Sequence, residues 1–293
     1  MSGFISIGMA ALFHASVLFL LTAGLQLTFG VMRVVNLACG TLFALGAYTG
    51  ATAVNWALAQ GAPVEFFPLI LLGCGAMVGL IGIPIERLLR AAYARPEAFQ
   101  LLLTFALVLI LQDLLRLIWG ADPKQTQNVM TVFGSWRVAG ATINVYYVAV
   151  IAFAIALAFG LGWFLERTNS GKILRATAEN REASSAMGIN VPRTYLLVFT
   201  AGTMLSTAGG ALIVPTAAAS LQMGVELVVE AFAVVVIGGL GSMKGAAVGA
   251  ILVCAIRALA LNFFPELDIL AVYVVVLGVL ILRPSGLCGR RFG

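Results

Sequence analysis

The sequence predicts an all-α protein, a polytopic bundle of about eight to nine transmembrane helices, some of them short or broken. Hydrophobic residues make up 61% of the 293 residues, charged residues only 10%, and the mean hydropathy is +1.06. A soluble domain carries about 25% charged residues, so a soluble globular domain, a nucleic-acid-binding module and an extracellular disulfide domain are excluded. Long stretches of the chain also carry no charge at all, which is typical of membrane spans.

Nine segments contain few or no charged residues and are taken as the spans. The first hydrophobic stretch runs without charge from Met1 to Met32 and lacks a basic leading region. We therefore expect a retained first span rather than a cleaved signal peptide. The whole chain, 1–293, is predicted to be a single transmembrane domain. The predicted spans are 8–30, 40–60, 67–85, 98–118, 145–165, 195–215, 226–241, 246–262 and 268–283.

Basic residues predict the direction of the spans. Most of the 17 lysines and arginines fall in three clusters, and the loops between these clusters are poor in cations. Because cytoplasmic loops of membrane proteins carry an excess of Lys and Arg, we expect the clusters to be cytoplasmic, the N-terminus periplasmic and the C-terminus cytoplasmic. The clusters are Arg87, Arg90 and Arg95; Arg167, Lys172, Arg175, Arg181 and Arg193; and Arg283, Arg290 and Arg291.

Two stretches are predicted to interrupt helices inside the membrane. The apolar run Ala231–Met243 is roughly 20 Å long as a helix at 1.5 Å per residue, too short for a hydrocarbon core of about 30 Å. It contains Gly238, Gly239 and Gly241. A similar break is expected around residues 33–40. Bare backbone at membrane depth is tolerated only where protein or a watery cavity shelters it.

The chain lacks the residue patterns of catalysis and metal binding. His14 is the single histidine, and no HExxH motif, Ser/His/Asp set or P-loop occurs. The four cysteines have no metal-ligand spacing. We therefore predict no enzymatic activity, no metal and no cofactor. The cysteines are Cys39, Cys74, Cys254 and Cys288.

Few ionisable residues lie within the predicted spans. Asp113 and Arg116 are three positions apart on one helix and are expected to pair, and Arg257 is expected to meet Glu226 or Glu230. Mid-span positions are almost free of carboxylates, which counts against a proton- or ion-coupled transporter.

A long polar segment at 166–194 is the most informative part of the sequence. It is too long for a simple connector, and its apolar positions recur at helical spacing opposite charged residues. Asn169 or Ser170 is expected to cap the helix and Gly188 to end it. Such a helix between two spans is either a docking element for a cytosolic partner or a solvated loop helix, and its residues alone leave both open.

A family resemblance favours the docking element. Glu182-Ala183-Ser184-x-x-x-Gly188 resembles the EAA-x-x-x-G motif of ABC importer permeases, with serine at the third position. Further blocks resemble branched-chain amino acid permeases of the LivH type in their order along the chain. These blocks are Gly30–Gly40 with Gly46 to Tyr48, Thr104–Asp113, Arg175–Glu182 with Met187–Asn190, and Val236–Gly245.

The resemblance implies the partners and the site residues. It implies two ATP-binding subunits, a second permease subunit of the LivM type in a heterodimer, a periplasmic substrate-binding protein and the lipid of a bacterial inner membrane, with ATP bound by the partners and no nucleic acid. The residues expected to contact the ATP-binding subunits are Arg175, Glu179, Glu182, Ala183 and Gly188. The residues expected to line the substrate path are Asn36, Cys39, Gly40, Tyr48, Thr104, Gly238, Gly239 and Gly241.

One position departs from the family pattern. Cys39 stands where relatives commonly have histidine. The resemblance implies a branched-chain or related amino acid as the solute, and the substitution of histidine by cysteine leaves amides, urea and aromatic acids open. The alternative function is an ATP-independent channel or facilitator for a small neutral solute such as urea or an amide, which the scarcity of buried charge favours. A facilitator has no need of the docking helix, which therefore discriminates between the two functions.

Overall fold

The computed structural model describes residues 2–61, 63, 66–93, 95–126, 134–138, 141–263, 265–283 and 286–288 and confirms an all-α membrane protein. A short antiparallel hairpin, β1 (Ser135–Val138) with β2 (Ala141–Asn144), precedes α6. The helices are α1 (Ser2–Met32), α2 (Cys39–Ala59), α3 (Phe67–Gly79), α4 (Gly82–Leu89), α5 (Glu97–Trp119), α6 (Val145–Arg167), α7 (Asn169–Glu179), α8 (Arg181–Ala186), α9 (Val191–Ile213), α10 (Met223–Gly238), α11 (Met243–Phe263) and α12 (Asp268–Leu282).

The centre of the bundle is α9, which packs against α1, α2 and α3. Small residues allow the backbones to approach closely, as expected for helices in lipid. Gly46 of α2 lies directly on the Thr207 backbone, and Gly24 of α1 lies on Gly202. The Thr207 hydroxyl donates to the Gly75 carbonyl of α3 at 2.7 Å. The core therefore depends on backbone contact as much as on apolar side chains.

Among the described residues, six helices are long and apolar enough to cross a membrane. The other three predicted spans correspond to α2, α10 and α12. Helix α10 has 16 residues, or about 24 Å at 1.5 Å per residue, so it is short, as the sequence predicts. The exact number of nine spans remains a prediction. The six helices are Ile5–Met32, Phe67–Leu89, Ala98–Trp119, Val145–Arg167, Val191–Ile213 and Met243–Phe263.

The third predicted span, 67–85, is not one regular helix. It is interrupted at Leu80 and Ile81 into α3 and α4, where Leu80 N–H donates to the Met77 carbonyl in a tightened turn. Gly79 and Gly82 flank the turn and pack directly on α9. The turn thus keeps both halves of the span against α9.

The bundle has two distinct ends. At the hairpin end, Lys124 and Ala219 exchange backbone hydrogen bonds, and the Tyr146 hydroxyl donates to the Leu212 carbonyl. At the α7 end, Arg33 donates to the Ala178 carbonyl and Lys244 pairs with Glu166 at 2.9 Å. The basic residues of the 166–194 segment lie at the α7 end, as the charge pattern predicts.

Candidate functional site

The first predicted break, around residues 33–40, is present and lies deep in the bundle. Helix α1 ends at Met32, and Arg33 adopts a positive φ of 54°. Helix α2 packs alongside α9, with Gly46 beside Thr207 and Gly50 beside Ala211. Its start at Cys39 is about 10 Å below Gly46 at 1.5 Å per residue, so α2 begins near the middle of α9.

The start of α2 meets the start of α10 at this depth. Gly40 lies directly on the Gly224 carbonyl, and a side chain at either position would overlap backbone. Asn36 is buried, and its Oδ1 accepts from the Ala38 amide at 3.1 Å. Two helix N-termini, each with a partial positive charge, therefore lie side by side inside the bundle.

The second break follows α10. Gly239 and Gly241 have positive φ angles of 95° and 78°, which only glycine adopts without strain. Gly238 packs face to face with Gly245 of α11. The returning C-terminal segment also covers this turn, because the Leu287 amide donates to the Ile237 carbonyl at 2.8 Å. The predicted glycine break is thus a tight turn between two antiparallel helices.

Gln26 of α1 holds the glycine turn and was not predicted. Its Nε2 donates to the Gly239 carbonyl at 3.0 Å, and its Oε1 accepts from the Gly241 amide at 2.5 Å. The side chain is 2% exposed. The sequence signal was available, because Gln26 is the only amide side chain in the charge-free run from Met1 to Met32.

A cavity of about 730 Å³ opens beside both breaks at the α7 end. It is lined by Gln26 and Gly30 of α1, Leu101 of α5, Glu166 of α6 and Gly241 of the turn, among others. Of the predicted path residues, Gly241 lines this cavity. The two breaks, α5 and the start of the 166–194 segment therefore border the same cavity.

A second cleft of about 390 Å³ lies between α5 and the start of α10. Asp113 and Arg116 of α5 line it together with Glu226 of α10. The predicted ion pair between Asp113 and Arg116 is wrong, because among the described residues no ion pair joins them. The predicted pairing of Arg257 is confirmed with Glu230, and not with Glu226.

The other predicted path residues lie in the packed interior. Cys39 is buried, and Tyr48 is fully buried with no hydrogen-bond partner for its hydroxyl. The Tyr48 ring lies 5.6 Å from that of Trp119. Thr104 is buried and donates to the carbonyls of Leu101 and Val35. Cys39 and Thr104 lie at the first break, whereas Tyr48 lies about 13 Å further along α2 at 1.5 Å per residue, and none of the three lines either cavity.

The 166–194 segment forms two helices instead of the single predicted one. Thr168 caps α7, with its Oγ1 accepting from the Gly171 amide at 3.0 Å, so the expected caps Asn169 and Ser170 are wrong. Asn180 is extended, with φ −147°, and its Oδ1 caps α8 at the Ala183 amide. A second asparagine, Asn190, caps α9.

Helix α8 presents the motif residues to the surroundings. All residues from Arg181 to Gly188 are exposed except Ser184, and Met187 is 72% exposed. Gly188 ends the helix with φ 86°, as predicted. The Ile189 amide closes the end by donating to the Ser184 carbonyl at 3.1 Å. A fixed, exposed helix is the geometry of a docking element.

An aromatic and ionic cluster connects α8 to the bundle. The Arg181 guanidinium lies 5.8 Å over the Tyr195 ring, which meets the Tyr93 ring edge-on at 5.4 Å. The Tyr93 hydroxyl and Arg90 both bond the buried carboxylate of Glu86. Burial, with the Glu86 carboxylate as a second cause, raises the pKa of Tyr93, so its hydroxyl stays a donor.

The described part of the chain offers no metal site, because no three His, Cys, Asp or Glu residues there are grouped to hold an ion.

Comparison with known proteins gives a consistent result. A family model described as the permease component of a branched-chain amino acid transport system matches residues 8–283. The chain is 25% identical to the high-affinity branched-chain amino acid transport system permease protein BraD of Pseudomonas aeruginosa, over 92% of this chain and 91% of BraD. It is 29% identical to a probable LivH permease of Methanocaldococcus jannaschii, over 82% and 75%. It is also 27% identical to the fructose import permease FrcC of Rhizobium meliloti, over 82% and 64%.

Proposed function

Since the chain belongs to the family of permease components of branched-chain amino acid transport systems, we propose that it forms one half of the solute path of an ATP-driven importer in a bacterial inner membrane. The observation that carries this proposal is the family match over residues 8–283 together with the exposed helix α8. The match favours a permease over the channel or facilitator, for which α8 has no use.

The family implies ATP-binding subunits and a substrate-binding protein as partners. We place the ATP-binding subunits at α7 and α8, where Glu182, Ala183 and Gly188 are exposed. The substrate-binding protein then docks at the hairpin end. This arrangement makes the α7 end cytoplasmic, which agrees with the basic residues there. The second permease subunit is a homologue of the LivM type.

The solute path follows the two breaks. The starts of α2 and α10 provide partial positive charge for an anionic group of the solute, and the cavity beside Gly241 provides the exit towards the α7 end. Asn36, Cys39, Gly40 and Thr104 shape the wall of the first break, and Tyr48 lies further along α2 beside Trp119. The solute class is a branched-chain or related amino acid, by analogy with BraD and LivH.

Helix α8 supplies the first prediction. Glu182→Ala with Gly188→Trp is expected to reduce ATP-driven uptake by about tenfold or more, because losing about 1.4 kcal/mol of docking free energy costs a factor of ten. The chain should still insert, since no atom lies within 4 Å of the position that a Cβ would occupy at exposed Gly188. Uptake into vesicles carrying the complete transporter is the measurement.

The matched control for these substitutions lies at the other end of the bundle. Gly61 also has a positive φ, of 71°, and open space around it, and Glu266 is exposed. Gly61→Trp with Glu266→Ala should leave the amount of ATP-binding subunit recovered with the chain near wild type, whereas Glu182→Ala with Gly188→Trp should reduce it. Unchanged uptake in the Glu182→Ala, Gly188→Trp variant would instead favour the facilitator.

Tyr195 supplies the second prediction, because it connects α8 to α4 through Tyr93. Removing the ring in Tyr195→Leu eliminates a cation–π contact of about 1 kcal/mol and an aromatic pair of similar strength. We expect solute transported per ATP hydrolysed to fall about five- to tenfold. Tyr195→Phe keeps both ring contacts and should transport normally. If Tyr195→Leu and Tyr195→Phe transport the same amount of solute per ATP hydrolysed, the Tyr195 ring does not couple α8 to the bundle.

A further inference from the structure

Helix α5 carries charged residues on an exposed face, beside the cleft that it forms with the start of α10. It packs mainly on α2 and α4, through Thr104, Leu107, Leu111 and Leu115. The opposite face is exposed along its whole length. Asp113 and Arg116 are exposed on that side.

The depth of Asp113 makes lipid an unsuitable neighbour. Trp119 ends α5 and its indole N–H donates to Thr52 at 2.8 Å, which fixes that end of α5 at the hairpin end of the bundle. Asp113 lies six residues earlier, or about 9 Å deeper at 1.5 Å per residue. A short carboxylate at that depth cannot reach the interface by extending as Lys and Arg do, and intramembrane charges almost always face protein or water.

The exposed charges also have opposite signs and no partners among the described side chains of their own chain. A surface that covers them must therefore present a cation opposite Asp113 and a carboxylate opposite Arg116. Bulk lipid offers no such pair at this depth, and a small solute cannot cover a face of 23 residues. A second membrane-embedded protein of similar height can.

We propose that the exposed face of α5 is the contact surface for the second permease subunit, which places a cation against Asp113 and a carboxylate against Arg116. This inference rests on the proposed function, which supplies that subunit. The interface runs along Leu102, Leu109 and Asp113, which lie on one stripe of the helix. The cleft beside Glu226 then becomes a closed space between the two permeases.

The test exchanges the two charges within α5. Asp113→Arg with Arg116→Asp preserves the net charge and the three-residue spacing. If the two charges act only within this chain, the exchange should therefore have little effect. If they face fixed charges on a partner, the exchange places like charges against each other and should weaken the contact. From membranes containing the complete transporter, with this chain tagged, we expect at least a tenfold loss of second permease subunit per tagged chain. Glu266→Arg, a charge reversal in the turn before α12, should leave recovery unchanged.

A cross-linking experiment keeps the inference testable if the exchanged chain is unstable. Leu109→Cys, with exposed Cys288 replaced by serine and the new thiol labelled with a maleimide–benzophenone reagent, should form a photo-adduct with the second permease subunit, because benzophenone inserts into C–H bonds and needs no thiol on the partner. Leu277→Cys on α12 is matched to Leu109 in exposure (60% against 49%), and α12 packs on α10 and α11. It should form no such adduct.

The outcomes separate this inference from the proposed function. If the wild-type chain recovers a second permease but the charge exchange is tolerated and Leu109→Cys gives no adduct, the α5 interface is overturned and the function stands. An adduct with a second copy of this chain alone also overturns it. If the wild-type chain recovers no second permease at all, the proposed function itself fails.

Discussion

Replacing Gly46 with valine is expected to prevent the permease from folding. A side chain at Gly46 would overlap the carbonyl group and Cα of Thr207, and Gly210 of α9 makes the reciprocal contact with the Phe43 carbonyl. These neighbours are backbone atoms, so no rotamer change relieves the overlap and α2 must separate from α9. Because overpacking of side chains alone costs about 1–3 kcal/mol, we expect a destabilisation of about 4 kcal/mol or more.

Gly73 provides the matched control. It lies on α3, is exposed, and has no atom within 4 Å of the position that a Cβ would occupy. Gly73→Val should change the free energy of unfolding by no more than about 0.5 kcal/mol, as for other surface substitutions. Yield of detergent-soluble monodisperse protein and its melting temperature are the measurements. Comparable behaviour of the two valine variants would contradict the close α2–α9 contact.

The helices were predictable because lipid imposes a local rule on the sequence. A charge-free run long enough to cross the core must satisfy its own backbone as a helix, so 145–165 predicts α6 and 195–215 predicts α9 within a few residues. The glycine break at Gly238–Gly241 was predictable for the same reason, since three glycines end a run too short to span.

What the sequence did not predict depends on contacts between distant residues. The turn at Leu80 exists because Gly79 and Gly82 pack on α9, more than 100 residues away. α7 and α8 are separate helices because Asn180 caps the start of α8, although asparagine also occurs inside helices. The helical spacing of apolar residues predicts neither the turn at Leu80 nor the cap at Asn180.

In the candidate site, too, local features were predictable from the sequence and contacts between distant residues were not. The sequence correctly located the end of α1 before residues 33–40 and the exposed motif of α8, because glycine spacing and charge pattern are local signals. The break predicted inside the membrane at Gly238–Gly241 is instead the turn that joins α10 to α11 at the α7 end. It did not show that Gln26 reaches across 213 positions to Gly239, nor that Arg33 contacts Ala178. It also predicted an Asp113–Arg116 pair from spacing, whereas the two exposed side chains form no ion pair and line a cleft with Glu226.

Gln26→Leu is expected to reduce transport about tenfold or more while leaving the chain in the membrane. Leucine has nearly the same size but neither accepts nor donates, so the buried Gly239 carbonyl and the Gly241 amide beside the cavity both lose their partner. An unsatisfied buried group such as the Gly239 carbonyl costs about 1–3 kcal/mol. The Gly238–Gly245 contact and the C-terminal segment still hold the ends of the turn, so we expect the loop between them to change shape without unfolding the bundle.

Thr22→Val on the same helix separates this effect from a general loss of buried polarity. Thr22 is buried and one turn away, but its hydroxyl bonds only the Leu18 and Phe19 carbonyls of its own helix. Valine at Thr22 should retain wild-type uptake, whereas leucine at Gln26 should reduce it about tenfold or more, since about 1.4 kcal/mol corresponds to a factor of ten. Uptake by vesicles with equal amounts of inserted chain is the measurement. Near wild-type uptake by Gln26→Leu would mean that the glycine turn keeps its shape without Gln26 and that the path does not depend on this bridge.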